Sequence, residues 1–88
     1  MNEVKLQGEL TFIKEVKEGV VRFTVKADKT KGFAFVPLVA FSDVATIVNG
    51  FTKGDNVKVL AEISTGSYEK EGKKIYTTDI IALKIAKV

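Results

Sequence analysis

Residues 20–41 interleave cations with aromatic rings. Arg22, Lys26, Lys29 and Lys31 stand against Asp28 alone, a local excess of +3 that equals the net charge of the whole chain. Phe33, Phe35 and Phe41 lie in the same stretch. Cations follow a phosphate backbone, and flat rings stack on unpaired bases; a binder that ignores base order needs both. Thirteen of the 14 basic residues are lysines, with Arg22 the exception. Lysine tracks phosphates as a point charge, whereas arginine is the usual reader of guanine edges. A second set, Tyr68, Lys73, Lys74 and Tyr76, brackets the charged run Glu69-Lys70-Glu71-Gly72. The chemistry on offer is stacking plus phosphate neutralisation.

Composition removes most alternatives. With no Cys there is no disulfide framework, thiol nucleophile or thiolate metal site. With no His there is no imidazole acid/base and no His-bound zinc. The acidic residues form no recognisable ligand cluster, so neither catalysis, a metal nor a cofactor is expected. No apolar run approaches the roughly 20 residues of a membrane helix. The opening MNEVKLQGEL alternates and carries Glu3 and Glu9, unlike a signal peptide. A cytoplasmic protein with no membrane contact is expected. The 88 residues read as one domain, 1–88, without repeat or linker. A chain this short buries only about 60% of its unfolded surface. Its mean hydropathy of +0.11 is high for so charged a chain, which points to self-association.

Five strand-like runs separated by glycine-containing turns must position these groups. Val4 to Leu10 alternates, with Gly8 interrupting its apolar face as a bulge or a close backbone approach would. A charged connector follows, Lys14 to Gly19. Val20 to Ala27 turns Val21, Phe23, Val25 and Ala27 one way and Arg22, Thr24 and Lys26 the other. Phe33 to Phe41 is apolar on both faces: Ala34, Val36, Leu38 and Ala40 against Phe33, Phe35, Pro37, Val39 and Phe41. Pro37 cannot donate to a ladder, so an edge or bulge is expected there. Ser42 to Gly50 is a short helix, with Ser42 as its cap, Asp43 in its first turn and Asn49-Gly50 as its stop. Asn56 to Ser64, with Val57, Val59, Ala61 and Ile63 on one face, leads into a long charged hairpin with Gly72 near its tip. The last run is Ile75 to Ile85. This order, with a helix between the third and fourth of five strands, is the layout of an all-β OB-fold, a five-stranded Greek-key barrel. Phe12, Phe23 and Phe51 are assigned to the core or its lid.

Several ordered pieces together resemble the single-stranded DNA-binding protein family over nearly the whole chain. They are Met1-Asn2-x-Val4-x-Leu6-x-Gly8-x-Leu10, Phe23-Thr24-Val25, Val39-Ala40-Phe41 followed by Val44-Ala45, Phe51-Thr52-Lys53-Gly54-Asp55-x-Val57-x-Val59, and the hairpin from Ser67-Tyr68 through Ile75-Tyr76 to Asp79. The resemblance implies an OB-fold homo-oligomer, a dimer or tetramer paired through the Val4–Leu10 region, that binds single strands without sequence preference in replication, recombination or repair. It places stacking residues at Phe35, Phe41 and Tyr68. It also implies a nucleoid-associated protein of bacterial, phage or plasmid origin. The DNA-binding set expected is therefore Phe33, Phe35, Phe41, Tyr68, Arg22, Lys26, Lys29, Lys31, Lys73, Lys74 and Tyr76. The chain departs from the family at Glu9, Ala61-Glu62, Ser64, Thr65 and Ser67, and Lys29 to Lys31 stand where a further tryptophan is common. These acidic and neutral substitutions motivate a competing reading, a primosome-type accessory or protein-interaction module with weak nucleic-acid binding. The family's acidic C-terminal tip, which recruits replication proteins, has no counterpart before Val88.

Overall fold

The computed structural model describes residues 2–88. Met1, which opens the first matching motif, lies outside them. The elements in chain order are β1 (Val4–Lys17), β2 (Val20–Asp28), β3 (Phe33–Phe41), α1 (Ser42–Asn49), β4 (Asn56–Lys70) and β5 (Lys73–Lys87). The strands close in the order β1-β2-β3-β5-β4. Every pairing is antiparallel except β3 with β5, which is parallel and rests on the single pair Val39↔Ile81. Closure by one short parallel contact, with α1 between β3 and β4, is the OB-fold.

The alternating apolar residues meet inside. Leu10, Val21, Phe23, Val25, Leu38, Ala40, Val57, Val59 and Ala61 are buried, joined by Ala45 and Val48 of α1. Phe51 packs on this core from the segment after the helix. Ile63, expected on the same face as Ala61, is 45% exposed. It lies where β4 leaves the barrel, and its backbone is held by the amide of Asn2, which both donates to and accepts from it.

Two local expectations are corrected. The charged segment from Lys14 is not a connector: Lys14 to Lys17 continue β1 and pair with Arg22 to Val20. Only Glu18-Gly19 turn, with Gly19 at a φ of +78°. Ser42 does not cap α1. It sits at a φ of +52°, its N–H donates to the Gly19 carbonyl at 2.9 Å, and the extended Phe41 precedes the helix without a side-chain cap. Gly50 ends the helix as expected, in the right-handed region at a φ of −82°. The tip of the β4–β5 arm is a two-residue turn, Glu71-Gly72, at φ values of +51° and +77°, as primed hairpin turns require.

β1 serves two neighbours. Val4 to Glu9 pair with β4, and Gly8 to Lys17 pair with β2. At the switch, Leu10 donates to the Asp55 carbonyl at 2.9 Å and accepts from the Gly54 N–H at 2.8 Å. The Thr52 N–H donates to the Asp55 carboxylate at 2.9 Å and holds it below its usual pKa. Partial desolvation opposes that shift, and Lys87, 3.4 Å away, adds to it. The overlap at Gly8 brings the backbones very close: a Cβ there would stand 2.0 Å from the Lys26 carbonyl oxygen. Gly8→Ala therefore forces the β1–β2 crossing apart. It is expected to lower stability by about 1–3 kcal/mol, the usual cost of overpacking, read as a fall in the urea midpoint.

Candidate nucleic-acid interface

The register of β2 against β3 decides which side chains meet outside the barrel. Across the ladder Asp28 faces Phe33, Lys26 faces Phe35, Thr24 faces Pro37, Arg22 faces Val39 and Val20 faces Phe41. Cross-strand partners share a face, so one outer surface carries both the cations and the rings. Phe33, Phe35 and Phe41 are 52%, 63% and 44% exposed, large values for phenylalanine. Val39, in the same row, is buried because β5 closes onto it at Ile81. The expected edge at Pro37 is present: β3 has β2 on one side there, and its ladder to β5 is confined to Val39.

Lys26 stands between two rings. It is the partner of Phe35, and its Nζ lies 4.2 Å from the centroid of Phe33. Glu9 of β1 is its partner on the other side. Lys29 and Lys31 lie in the exposed turn that joins β2 to β3, which Lys29 closes by donating its N–H to the Gly32 carbonyl at 3.1 Å. Among the described residues the ion pairs are Lys5–Glu3 and Lys87–Asp55. Arg22, Lys26, Lys29, Lys31, Lys73 and Lys74 take no part in them, so their charge is not neutralised by a bound carboxylate.

The structure adds two residues to this surface. A bulge between Leu10 and Phe12 inserts Thr11 into β1 and reverses the alternation. Leu10 and Ile13 turn inward, opposite Val25 and Phe23, while Phe12 turns out beside Thr24 and Lys14 beside Arg22. Phe12 is 44% exposed, so its assignment to the core is overturned. Phe23 and Phe51 keep theirs. The available sequence signal is the adjacent pair Phe12-Ile13. Strict alternation buries the first, and a one-residue bulge buries the second.

The arm divides its predicted residues between two faces. Tyr68 pairs with Ile75, on the side that carries Ser64 with Asp79 and Glu62 with Ile81. Ile81 partners Val39, so this side continues the outer face of β3. Lys73, paired with Lys70 beside the tip, belongs to it. Tyr76 pairs with Ser67 on the opposite side, which runs down to Ala61 and Ala82 in the core. The Lys74 Nζ lies 5.6 Å from the Tyr76 ring, on that same side. Tyr68 and Lys73 thus extend the β2–β3 surface, and Tyr76 and Lys74 do not.

Sequence comparison finds a bacterial relative. The chain is 36% identical, over an aligned stretch of 92 residues, to a single-stranded DNA-binding protein of Clostridium perfringens. The match takes in 92% of this chain and 61% of that relative, so the chain spans about 61% of the relative's length. No protein-family model matches. Two solved folds superpose on nearly all of the barrel. The mitochondrial single-stranded DNA-binding protein Rim1 of S. cerevisiae gives a TM-score of 0.73 at 13% identity, over 98% of this chain and 93% of that one. The small single-stranded DNA-binding protein of Streptomyces coelicolor gives 0.65 at 20% identity, with the same coverage. At such identities these structures bear on the fold alone. No helix among the described residues is long and apolar enough to cross a membrane.

The outward turn of Phe12 has a direct consequence for stability. Phe23→Ala empties a fully buried site and is expected to cost about 3–5 kcal/mol. Phe12→Ala removes an exposed ring and is expected to cost less than about 1 kcal/mol. Urea unfolding of the two variants separates them; equal losses would return Phe12 to the core.

Proposed function

We propose that the chain, which is similar in sequence to a single-stranded DNA-binding protein, binds single-stranded DNA across the outer face of β1, β2 and β3. The observation that carries this reading is one surface holding exposed Phe12, Phe33, Phe35 and Phe41 beside Lys14, Arg22 and Lys26. Phe35 and Phe41 are six residues apart along a strand that rises about 3.3 Å per residue, so roughly 20 Å separates them. One base cannot serve both rings; a strand several nucleotides long can. Lys29 and Lys31 flank the path at one end, and Tyr68 with Lys73 continue it onto the arm. Stacking on each ring contributes about 1–3 kcal/mol per base, and the lysines follow phosphates without selecting a sequence.

The role is binding and shielding of single strands during replication, recombination or repair, in the cytoplasm and without catalysis. Self-association accompanies it. Val4 to Gln7 pair with β4 on one side only, which leaves a strand edge for a second copy. Exposed Val16, Ile47 and Leu83 support further apolar contact between copies.

Titration of a fluorescently labelled dT oligonucleotide at several salt concentrations, beside a duplex control, tests the reading. Binding to the single strand is expected to weaken with salt, with a log–log slope of about −0.7 per phosphate neutralised. Phe35→Ala and Phe41→Ala are each expected to weaken it by about 1–3 kcal/mol. Equal affinity for duplex, or a flat salt response, would overturn the proposal.

A further inference from the structure

The ladder between β3 and β5 stops at Val39↔Ile81. Next to that pair Pro37 has no N–H to continue it, and the two strands part. A groove of about 240 Å³ opens between them, lined by Arg22, Pro37, Val39, Thr78 and Asp79. It lies on the proposed binding surface: Arg22 is the partner of Val39, and Pro37 is the neighbour of Thr24, which Phe12 also flanks. Its charged lining is one guanidinium and one carboxylate. Arg22 is the only arginine in the chain. Among the described residues neither group enters an ion pair or a side-chain hydrogen bond. The groove therefore offers an unused donor fork and an unused pair of acceptor oxygens, beside the exposed apolar ring of Pro37.

We propose that this groove is a base-edge subsite that prefers guanine, held between Arg22 and Asp79. The inference rests on the single-strand binding proposed above. Guanine alone among the four bases presents two neighbouring acceptors, O6 and N7, and two neighbouring donors, the N1 and N2 hydrogens. A guanidinium fork matches the first pair, and a carboxylate accepts from the second. Cytosine fills the fork but gives the carboxylate one donor group. Thymine and adenine present no two adjacent acceptors. A purine ring also covers more of the exposed Pro37 ring than a pyrimidine does. The rest of the path stacks any base, so the preference acts at one position within an otherwise sequence-tolerant footprint.

The experiment compares a short dT oligonucleotide with three others in which one central dT is replaced by dG, dC or dA. Each is titrated against the unaltered chain, Arg22→Lys and Asp79→Asn. Arg22→Lys keeps the charge and removes the fork; Asp79→Asn removes the charged acceptor pair. Arg22 is exposed and Asp79 half-buried, so both variants are expected to fold. The readout is the affinity for the dG oligonucleotide divided by that for all-dT, taken within each variant, so a general loss of affinity does not enter it. The unaltered chain is expected to prefer dG by about tenfold, the scale of one bidentate contact. The ratio is expected to fall towards one in both variants. Equal affinity for all four oligonucleotides overturns the subsite and leaves the binding reading standing. A preference for dC or dA overturns it too, as does a dG preference that survives both substitutions. Failure to bind any of the four overturns both proposals.

Discussion

One strand has to pair with two others, and the rest of the molecule follows from how it does so. β1 gives its first half to β4 and its second half to β2, with both partners present at Gly8 and Glu9. Glycine is needed at the crossing because the Lys26 carbonyl occupies the space of a side chain. Just beyond it, Thr11 is inserted as a bulge and the strand bends. The bend brings β1 around to close the barrel, and Leu10 is pinned there by Gly54 and Asp55. The same bulge turns Phe12 and Lys14 to the outside. Closure of the core and composition of the outer surface thus depend on one local irregularity.

The outer surface carries its rings at a cost. Exposing Phe33, Phe35 and Phe41 forgoes the burial that stabilises a small domain, about 1.5–3 kcal/mol for each large apolar side chain. The barrel tolerates this because its core is built from other positions. Phe23, Leu10 and the valines of β2 and β4 fill the interior, and α1 supplies Ala45 and Val48. Lysines beside the rings keep the exposed surface soluble and leave it able to meet a polyanion. Lys26 does both, lying over Phe33 and opposite Phe35.

Most of the barrel was legible in the sequence because its strands alternate strictly. Val21 to Ala27 and Val57 to Ala61 turned inward as their spacing predicts, and the β2–β3 face assembled from Arg22, Lys26, Phe35 and Phe41. What was not legible depends on partners distant in the chain. Lys14 to Lys17 resemble a connector because they leave the barrel, where neither face requires an apolar residue; only their pairing with β2 makes them strand. Phe12 follows the wrong parity because a bulge has no compulsory residue type. Ser42 looks like a cap, but its N–H is committed to Gly19 of the first turn. The arm's aromatics looked equivalent, and only the register with β5 separates Tyr68 from Tyr76. The groove between β3 and β5 exists because Pro37 and Asp79, far apart in sequence, flank the end of a one-pair ladder.

The most direct measurement is the backbone amide spectrum of the isotopically labelled chain, recorded while a dT oligonucleotide is added. Shifts are expected to concentrate on the outer rows of β1, β2 and β3, around Phe12, Arg22, Lys26, Phe35 and Phe41, and to continue onto the arm at Tyr68. The amides near Ile47 and Leu83, which line a separate apolar groove with Leu6 and Leu60, are expected to stay in place. Shifts centred on Ile47 and Leu83 with a silent β2–β3 face would contradict the assignment of this surface as the binding site.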